Sequence, residues 1–219
     1  MKYYLLITIK FLKSDIIVIA VKPQDFKGLG DTLKKVLKPN QIILSIMAGI
    51  RISKLEEVFN HSSIVRAMPN SPVEIEMGIT GFSSHKEVTY NQLRKVENLL
   101  ATTGRTVFFE NEEQLDAVTA LSGSGPAYFY YIVKAMIDAG KEMGVEESVS
   151  SMLVRQTMLG AFHLINNANQ SLDDLIKIVA SKGGTTEAAL KTFNEQHVSD
   201  GIIKGIINAE KRAKELSSN

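Results

Sequence analysis

The sequence predicts an α/β protein in two parts, a doubly wound parallel sheet in residues 1–111 and an all-α region in residues 112–219. Three observations predict it. Short runs of consecutive apolar residues alternate with polar stretches in the first half, as strands covered on both faces require. The second half has helical periodicity, few consecutive β-branched residues, and glycine punctuation at Gly140, Gly144, Gly183, Gly184 and Gly201. The mean hydropathy of the 219-residue chain is near zero, which suits one large core or two small ones and carries no signature of disorder.

The first strand is Ile16-Ile17-Val18-Ile19-Ala20-Val21, after the turn signal Ser14-Asp15. A polar, helical stretch from Asp31 to Lys38 leads to a second apolar run from Gln41 to Met47. That is the rhythm of parallel strands joined by crossover helices. Further strands are expected at Ser63 to Ala67, Gly78 to Phe82 and Arg105 to Phe109, with a helix from Val88 to Ala101 between the last two. Helices are then expected over 113–120, 125–143, 146–167, 171–180, 184–194 and 199–216. Between Ala127 and Ile137 only Lys134 is charged, so a helix there needs cover on nearly every side. A second copy of the chain is the natural cover, and a homodimer built through the helical half is expected.

Composition narrows the classes of function. Lys and Arg total 25 against 24 Asp and Glu, spread along the chain, so no nucleic-acid footprint is present. The absence of cysteine excludes disulfides and thiolate chemistry and fits a reducing compartment, the cytoplasm by default. The apolar run from Tyr3 to Ile9 is too short to span a bilayer and has no small-residue cleavage site, so it is expected to be mature chain without a membrane role. His61, His85, His163 and His197 are scattered without paired ligand spacing, so no metal is expected. Ser122-Gly123-Ser124-Gly125 follows no strand and is not a hydrolase nucleophile turn, and neither Gly123-x-Gly125 nor Gly28-Leu29-Gly30 is a nucleotide fingerprint.

In open parallel sheets ligands bind beyond the carboxyl ends of the strands. Three loops stand there: Val21-Lys22-Pro23-Gln24, Met47-Ala48-Gly49 and Met68-Pro69-Asn70-Ser71-Pro72. Proline fixes the backbone, and alanine and glycine let a flat ligand approach it, although such residues also simply end strands. Leu121-Ser122-Gly123-Ser124-Gly125-Pro126-Ala127 is a small-residue start to a long apolar helix, suited to close helix packing or close ligand approach. Ala180-Ser181-Lys182-Gly183-Gly184-Thr185-Thr186-Glu187 opens another helix, whose unpaired amides would suit a carboxylate or be ordinarily capped.

Taken in order, Ala20-Val21-Lys22-Pro23-Gln24, Ser45-Ile46-Met47-Ala48-Gly49-Ile50, Arg66-Ala67-Met68-Pro69-Asn70-Ser71-Pro72, Leu121 to Tyr128 and Gly183-Gly184-Thr185-Thr186 resemble the motif series of pyrroline-5-carboxylate reductases. The resemblance runs from Ser14 to the last helix. It implies an incomplete Rossmann-like domain in residues 1–111, a helical dimerisation and substrate domain in residues 112–219, and a homodimer or higher homo-oligomer. The implied reaction passes hydride from NADPH or NADH to 1-pyrroline-5-carboxylate, giving L-proline. Ala20, Val21, Lys22 and Pro23, with Ala48 and Gly49, would line the nicotinamide. Met68, Pro69 and Asn70 would border the hydride-transfer site. Ser181, Gly183, Gly184, Thr185 and Thr186 would hold the substrate carboxylate, and Thr119 corresponds to a hydroxyl near the ring nitrogen that helps to supply or relay the proton. A protonated iminium is already electrophilic, so positioning supplies most of the catalysis and no acid–base dyad is required.

The sequence departs from the family at two places. Members have a strand, a Gly-rich turn, a helix and a second strand before the Ala-Val-Lys-Pro motif, where residues 1–15 stand here. The pyrophosphate grip is therefore expected to be missing and whole-cofactor affinity to fall, with residues 1–13 serving at most as a replacement edge strand. Lys182 stands where the family usually has proline. A second reading follows, a catalytically silent dimeric remnant that cannot bind the whole cofactor. A dehydrogenase of β-hydroxy acids ranks last, because its helical lysine motif is not found.

Overall fold

The computed structural model describes residues 13–22 and 25–217, apart from the side chain of Lys27. By packing, the chain divides into a sheet unit, residues 1–126 with 206–219, and a helical unit, residues 127–205. The expected division at 111/112 separates strands from helices. The compact units instead place the start of the helical region and the end of the last helix with the sheet.

Five apolar runs form one sheet in the order β1 (Ile16–Ile19), β2 (Ile42–Ser45), β3 (Ile64–Met68), β4 (Gly78–Ser84) and β5 (Gly104–Phe108). β1, β2 and β3 are parallel, with Ile19 beside Ser45 and Ser45 beside Arg66, so their carboxyl ends emerge together. β4 runs antiparallel to β3, and β5 is parallel to β4. The sheet is therefore mixed rather than wholly parallel. The link from β3 to β4 is only Pro69 to Met77, with a single 3-10 turn at Ser71–Ile75, too short for the crossover a parallel pair needs.

The helices in this unit follow apolar spacing. α1 (Phe26–Leu33) buries Phe26 and Leu33, and α2 (Ile52–Phe59) buries Ile52, Leu55 and Phe59. With Ile17, Ile19, Ile43, Met47 and Ile64 they form the core on one sheet face. α3 (Tyr90–Ala101) lays Val96 and Leu100 against Ile42, Leu44, Val65, Ala67 and Phe82 on the other. Alternate residues of β2 thus serve different cores, which is why the strand is apolar without interruption. Each fully buried Leu, Ile or Phe contributes about 1.5–3 kcal/mol.

Two expectations shift here. The helix expected at 31–38 lies at Phe26–Leu33, because its apolar positions are Phe26, Leu29 and Leu33 and Pro39 disfavours helix at the residue before it. α2 was not anticipated.

Beyond β5 the chain is helical, as expected. α4 (Gln114–Val118) passes into a π-helical turn at Thr119–Gly123, then α5 (Gly125–Glu142), α6 (Glu147–Asn167), α7 (Leu172–Val179), α8 (Thr185–Glu195) and α9 (Val198–Ser217). In the helical unit α5 and α6 approach closely where Gly140, lacking a Cβ, meets Ser150. A groove of about 710 Å3 lined by Tyr130, Ile137, Leu159 and Phe162 among others runs between these two helices. Among the described residues no helix is long and apolar enough to cross a membrane.

Candidate active site

The parallel ladder brings the ends of β1, β2 and β3 to one edge of the sheet. Ala20, Val21 and Lys22 are exposed beyond β1; Pro23, also expected there, lies outside the described residues, as does the edge strand expected from residues 1–13 except for Lys13, which is helical. Beyond β2, Ala48 is exposed and Gly49 turns the chain with φ +73°, a conformation that favours glycine. A Cβ on Gly49 would stand 3.1 Å from the Cβ of Leu216 and 3.2 Å from its carbonyl oxygen. The small, exposed surface of Ala20 and Ala48 suits a flat ring lying across the strand ends.

Beyond β3, Met68, Pro69 and Asn70 are half-buried. The side-chain oxygen of Asn70 accepts from the amide of Ile79 at 3.0 Å, and its carbonyl accepts from the amide of Val73 at 3.1 Å. Asn70 therefore braces the β3–β4 connection and holds Met68 and Pro69 in place. Met68 reaches the π-turn, where a Cβ on Gly123 would lie 2.6 Å from its Cε. A side chain at Gly123 would therefore move the end of the flexible Met68 side chain from its seat.

The π-turn is closed by the amide of Ser124 donating to the carbonyl of Thr119 at 2.9 Å, a five-residue step that shifts the following side chains from α-helical register. Thr119 donates its hydroxyl to the carbonyl of Leu115 at 2.7 Å. Its hydroxyl proton is engaged there, which leaves the oxygen lone pairs as acceptors. The hydroxyl of Ser122 is buried without a hydrogen-bond partner.

The second expected constellation lies in the helical unit. Gly183 takes φ +72°, and the amide of Gly184 donates to the carbonyl of Ser181 at 3.0 Å, folding the loop before α8. A Cβ on Gly184 would meet the Ser181 hydroxyl at 2.7 Å. Ser181, Lys182, Gly183 and Thr185 are exposed, and Gly184 and Thr186 are half-buried. The amide of Gly183 donates to the carboxylate of Glu187 at 2.7 Å. An anion already serves as partner to this loop.

Beneath the strand ends lies an ion network that sequence reasoning missed. Arg66, 2% exposed, donates from Nη1 to Glu112 at 2.9 Å and from Nη2 to Asp116 at 3.5 Å. Asp116, 1% exposed, also accepts from Arg51 at 3.3 Å and from the Ser217 hydroxyl at 2.8 Å. Glu112 accepts from the amide of Ile52 at 2.8 Å, at the start of α2. The one sequence signal is Arg66 itself, a lone charge in the apolar strand Ile64-Val65-Arg66-Ala67-Met68. Nearby on α9, the ammonium of Lys214 is held above the ordinary lysine range, first by its hydrogen bond to Glu210 and then by the charge of Glu210, opposed by desolvation and assisted by Asp116 and Glu113.

Comparison with known proteins identifies the family. Residues 112–216 match the family model for pyrroline-5-carboxylate reductase dimerisation. The chain is 37% identical over 205 residues to the pyrroline-5-carboxylate reductase of Pseudomonas aeruginosa, covering 93% of this chain and 75% of that one. It is 36% identical to the reductase of Haemophilus influenzae, over 94% of this chain and 77% of the relative. Among solved structures, the reductase from Coxiella burnetii superposes with a TM-score of 0.85 at 34% identity, covering 94% of this chain and 77% of that one. The Plasmodium falciparum enzyme, solved with NADP bound, gives 0.86 at 30% identity over 93% and 77%. With this identity and coverage, and with its ordered motifs gathered at the strand ends and the opening of α8, the chain belongs to the pyrroline-5-carboxylate reductase family.

Proposed function

We propose that this chain reduces 1-pyrroline-5-carboxylate to L-proline with NADPH or NADH, the last step of proline biosynthesis. The observation that carries the reading is the meeting of Met68 with the Thr119–Gly123 turn at the open ends of three parallel strands. It makes an apolar wall and a fixed oxygen acceptor beside a surface suited to a flat ring. When bound, the cofactor supplies a hydride from C4 of its nicotinamide to the C=N carbon of the substrate, and the π electrons of that bond move to nitrogen.

The residues of the chain position and polarise. Ala20, Val21, Lys22 and Pro23, with Ala48 and Gly49, line the nicotinamide; Met68, Pro69 and Asn70 border the reacting carbon. Thr119, whose hydroxyl proton is engaged by Leu115, accepts from the N–H of the protonated iminium and stabilises the form that receives hydride. Thr119 thus holds the substrate's proton on nitrogen rather than delivering one. Ser181, Gly183, Gly184, Thr185 and Thr186 receive the substrate carboxylate, which replaces that of Glu187 on the Gly183 amide. Effective molarity from such placement is worth about 7–11 kcal/mol, enough to make a dedicated acid–base pair unnecessary.

The working form in this reading is a homodimer or a larger homo-oligomer, assembled through the exposed apolar faces of α5 and α6. A cytoplasmic location, consistent with a cysteine-free chain, belongs to the same reading. The test is to follow NADPH loss and proline formation together with this 219-residue chain and 1-pyrroline-5-carboxylate. Equal rates of the two are expected, and loss of NADPH without proline, or neither, overturns the assignment.

A further inference from the structure

We infer that the last turn of α9, through Leu216 and Ser217, is a positioning element for the cofactor shelf. This rests on the reading that Ala48, Gly49 and Met68 border the nicotinamide. α9 is one helix from Val198 to Ser217, and its residues from Ile206 onward belong to the sheet unit. Ala213 and Ser217 are buried there, 6% and 9% exposed. The last turn touches the shelf directly and through charge.

The direct contact is at Gly49. A Cβ on Gly49 would press on the Cβ and carbonyl of Leu216 at 3.1 and 3.2 Å, tight enough that the last turn of α9 would have to yield by a few tenths of an ångström, and the φ of +73° at Gly49 already disfavours any side chain. Gly49 is the turn after β2, so the backbone of Leu216 limits how far that turn can retreat from a ring placed on its other side. Contact through charge runs by way of Asp116. Ser217 donates to the same carboxylate oxygen that Arg66 Nη2 approaches, while the other oxygen accepts from Arg51. Arg51 lies two residues after Gly49, Arg66 two before Met68, and Asp116 one helical turn before Thr119. One buried carboxylate therefore ties together the three segments that present the shelf and the acceptor, and Ser217 is its neutral, hydroxyl partner.

A misplacement of about 1 Å can cost about a hundredfold in rate, and a loosened carboxylate frees Arg51 and one of the two carboxylate contacts of Arg66, whose other contact is Glu112. Substitutions at the end of the chain should then read out at the cofactor rather than at the substrate.

The experiment compares Ser217→Ala and Ser217→Thr with the unaltered full chain by backbone amide hydrogen exchange and by steady-state kinetics. Ser217→Ala is expected to speed exchange across Met47 to Ile52 by about tenfold while leaving β4 and β5 unchanged, and to lower kcat/KM for NADPH by about tenfold at an unchanged KM for 1-pyrroline-5-carboxylate. Ser217→Thr, which keeps the hydroxyl, is expected to restore both. Unaltered exchange at Met47 to Ile52 overturns the inference, as does faster exchange spread equally over β4 and β5, which would make Ser217 a stabilising residue alone. The exchange comparison needs no turnover, so a chain that fails to reduce the substrate would sink the functional reading while this inference is still decided.

Discussion

In the sheet unit Ile43, Leu44, Leu55, Ile64 and Phe82 are each no more than 1% exposed, whereas in the helical unit Tyr130 and Tyr131 stand 67% and 77% exposed, and Leu159 and Phe162 52% each. Both regions are apolar in composition. Their difference is where the cover comes from. Strands of β2 and β3 are sandwiched by α1 and α2 on one face and by α3 on the other, so the hydrophobic term is satisfied within the chain. Helices α5 and α6 meet each other at Gly140 and Ser150 but leave broad apolar faces open, far beyond what scattered surface residues explain. The match of residues 112–216 to a dimerisation family fits this, and the contrast is between central strands covered from within the chain and helices whose apolar faces are left open for a partner.

The largest expected effect strikes the open side of the contrast. Leu159→Asp, on the groove between α5 and α6, places a charge where a second copy is expected to pack. It should weaken self-association by about a hundredfold or more, at a cost near 3 kcal/mol. Light scattering through a dilution series checks it: the unaltered chain is expected to remain dimeric or larger at micromolar concentration and the variant to become monomeric. A variant that associates like the parent would mean that this groove is not the covered face.

The closed side has its own weak point in the ion network beneath the strand ends. Arg66→Met removes the guanidinium that bridges Glu112 and Asp116 and leaves both acids short of a partner. Breaking a buried pair in this way costs about 3–5 kcal/mol. Urea unfolding should show the loss as a lowered midpoint with little change in slope. If the methionine variant is as stable as the parent, the apolar packing of Arg66 rather than its charge is what matters at that site.

Much of the sheet was legible because its signal is local. Runs such as Ile42-Ile43-Leu44 name a doubly covered strand without reference to anything distant, and the turn residues after β1, β2 and β3 mark the candidate site proposed at their ends. Strand direction is not local, and the antiparallel β4 follows from the length of a connection that the sequence leaves ambiguous. α1 was displaced because the charged stretch from Asp31 to Lys38 imitates a helix, while the true helix is fixed by Phe26 and Leu33 meeting Phe59 and Ile19 in the core. α2 carries its pattern at Ile52, Leu55 and Phe59, only eight residues of helix beside stronger signals. The Arg66–Asp116–Ser217 network was illegible for a different reason. Ser217 and Asp116 are 101 positions apart, and no periodicity relates them.

A smaller effect separates chemistry from packing at the π-turn. Thr119→Val keeps the shape of the side chain and removes the oxygen whose proton now engages Leu115. The expected loss is about tenfold in kcat/KM for 1-pyrroline-5-carboxylate, the worth of one hydrogen bond to a charged group, with KM for NADPH and thermal midpoint nearly unchanged. Steady-state kinetics with each substrate varied in turn makes the distinction. An unchanged rate would reduce Thr119 to a helix residue bonded to its own backbone.

The smallest effect belongs to the sheet unit far from any chemistry. Thr89 begins α3 with a reciprocal cap: its hydroxyl accepts from the amide of Gln92 at 3.3 Å, and the Gln92 side chain accepts from the amide of Thr89 at 2.9 Å. Gln92 also donates to Ser63 at 2.9 Å, so the cap is anchored to the residue that leads into β3. Thr89→Ala should cost about 1 kcal/mol and Thr89→Ser much less, because serine restores the acceptor. Neither substitution should alter kcat, either KM or the association state. If Thr89→Ala instead loosens the dimer, the cover of the sheet and the cover of the helices would be coupled, and the contrast between strands covered from within the chain and helices open to a partner would no longer hold.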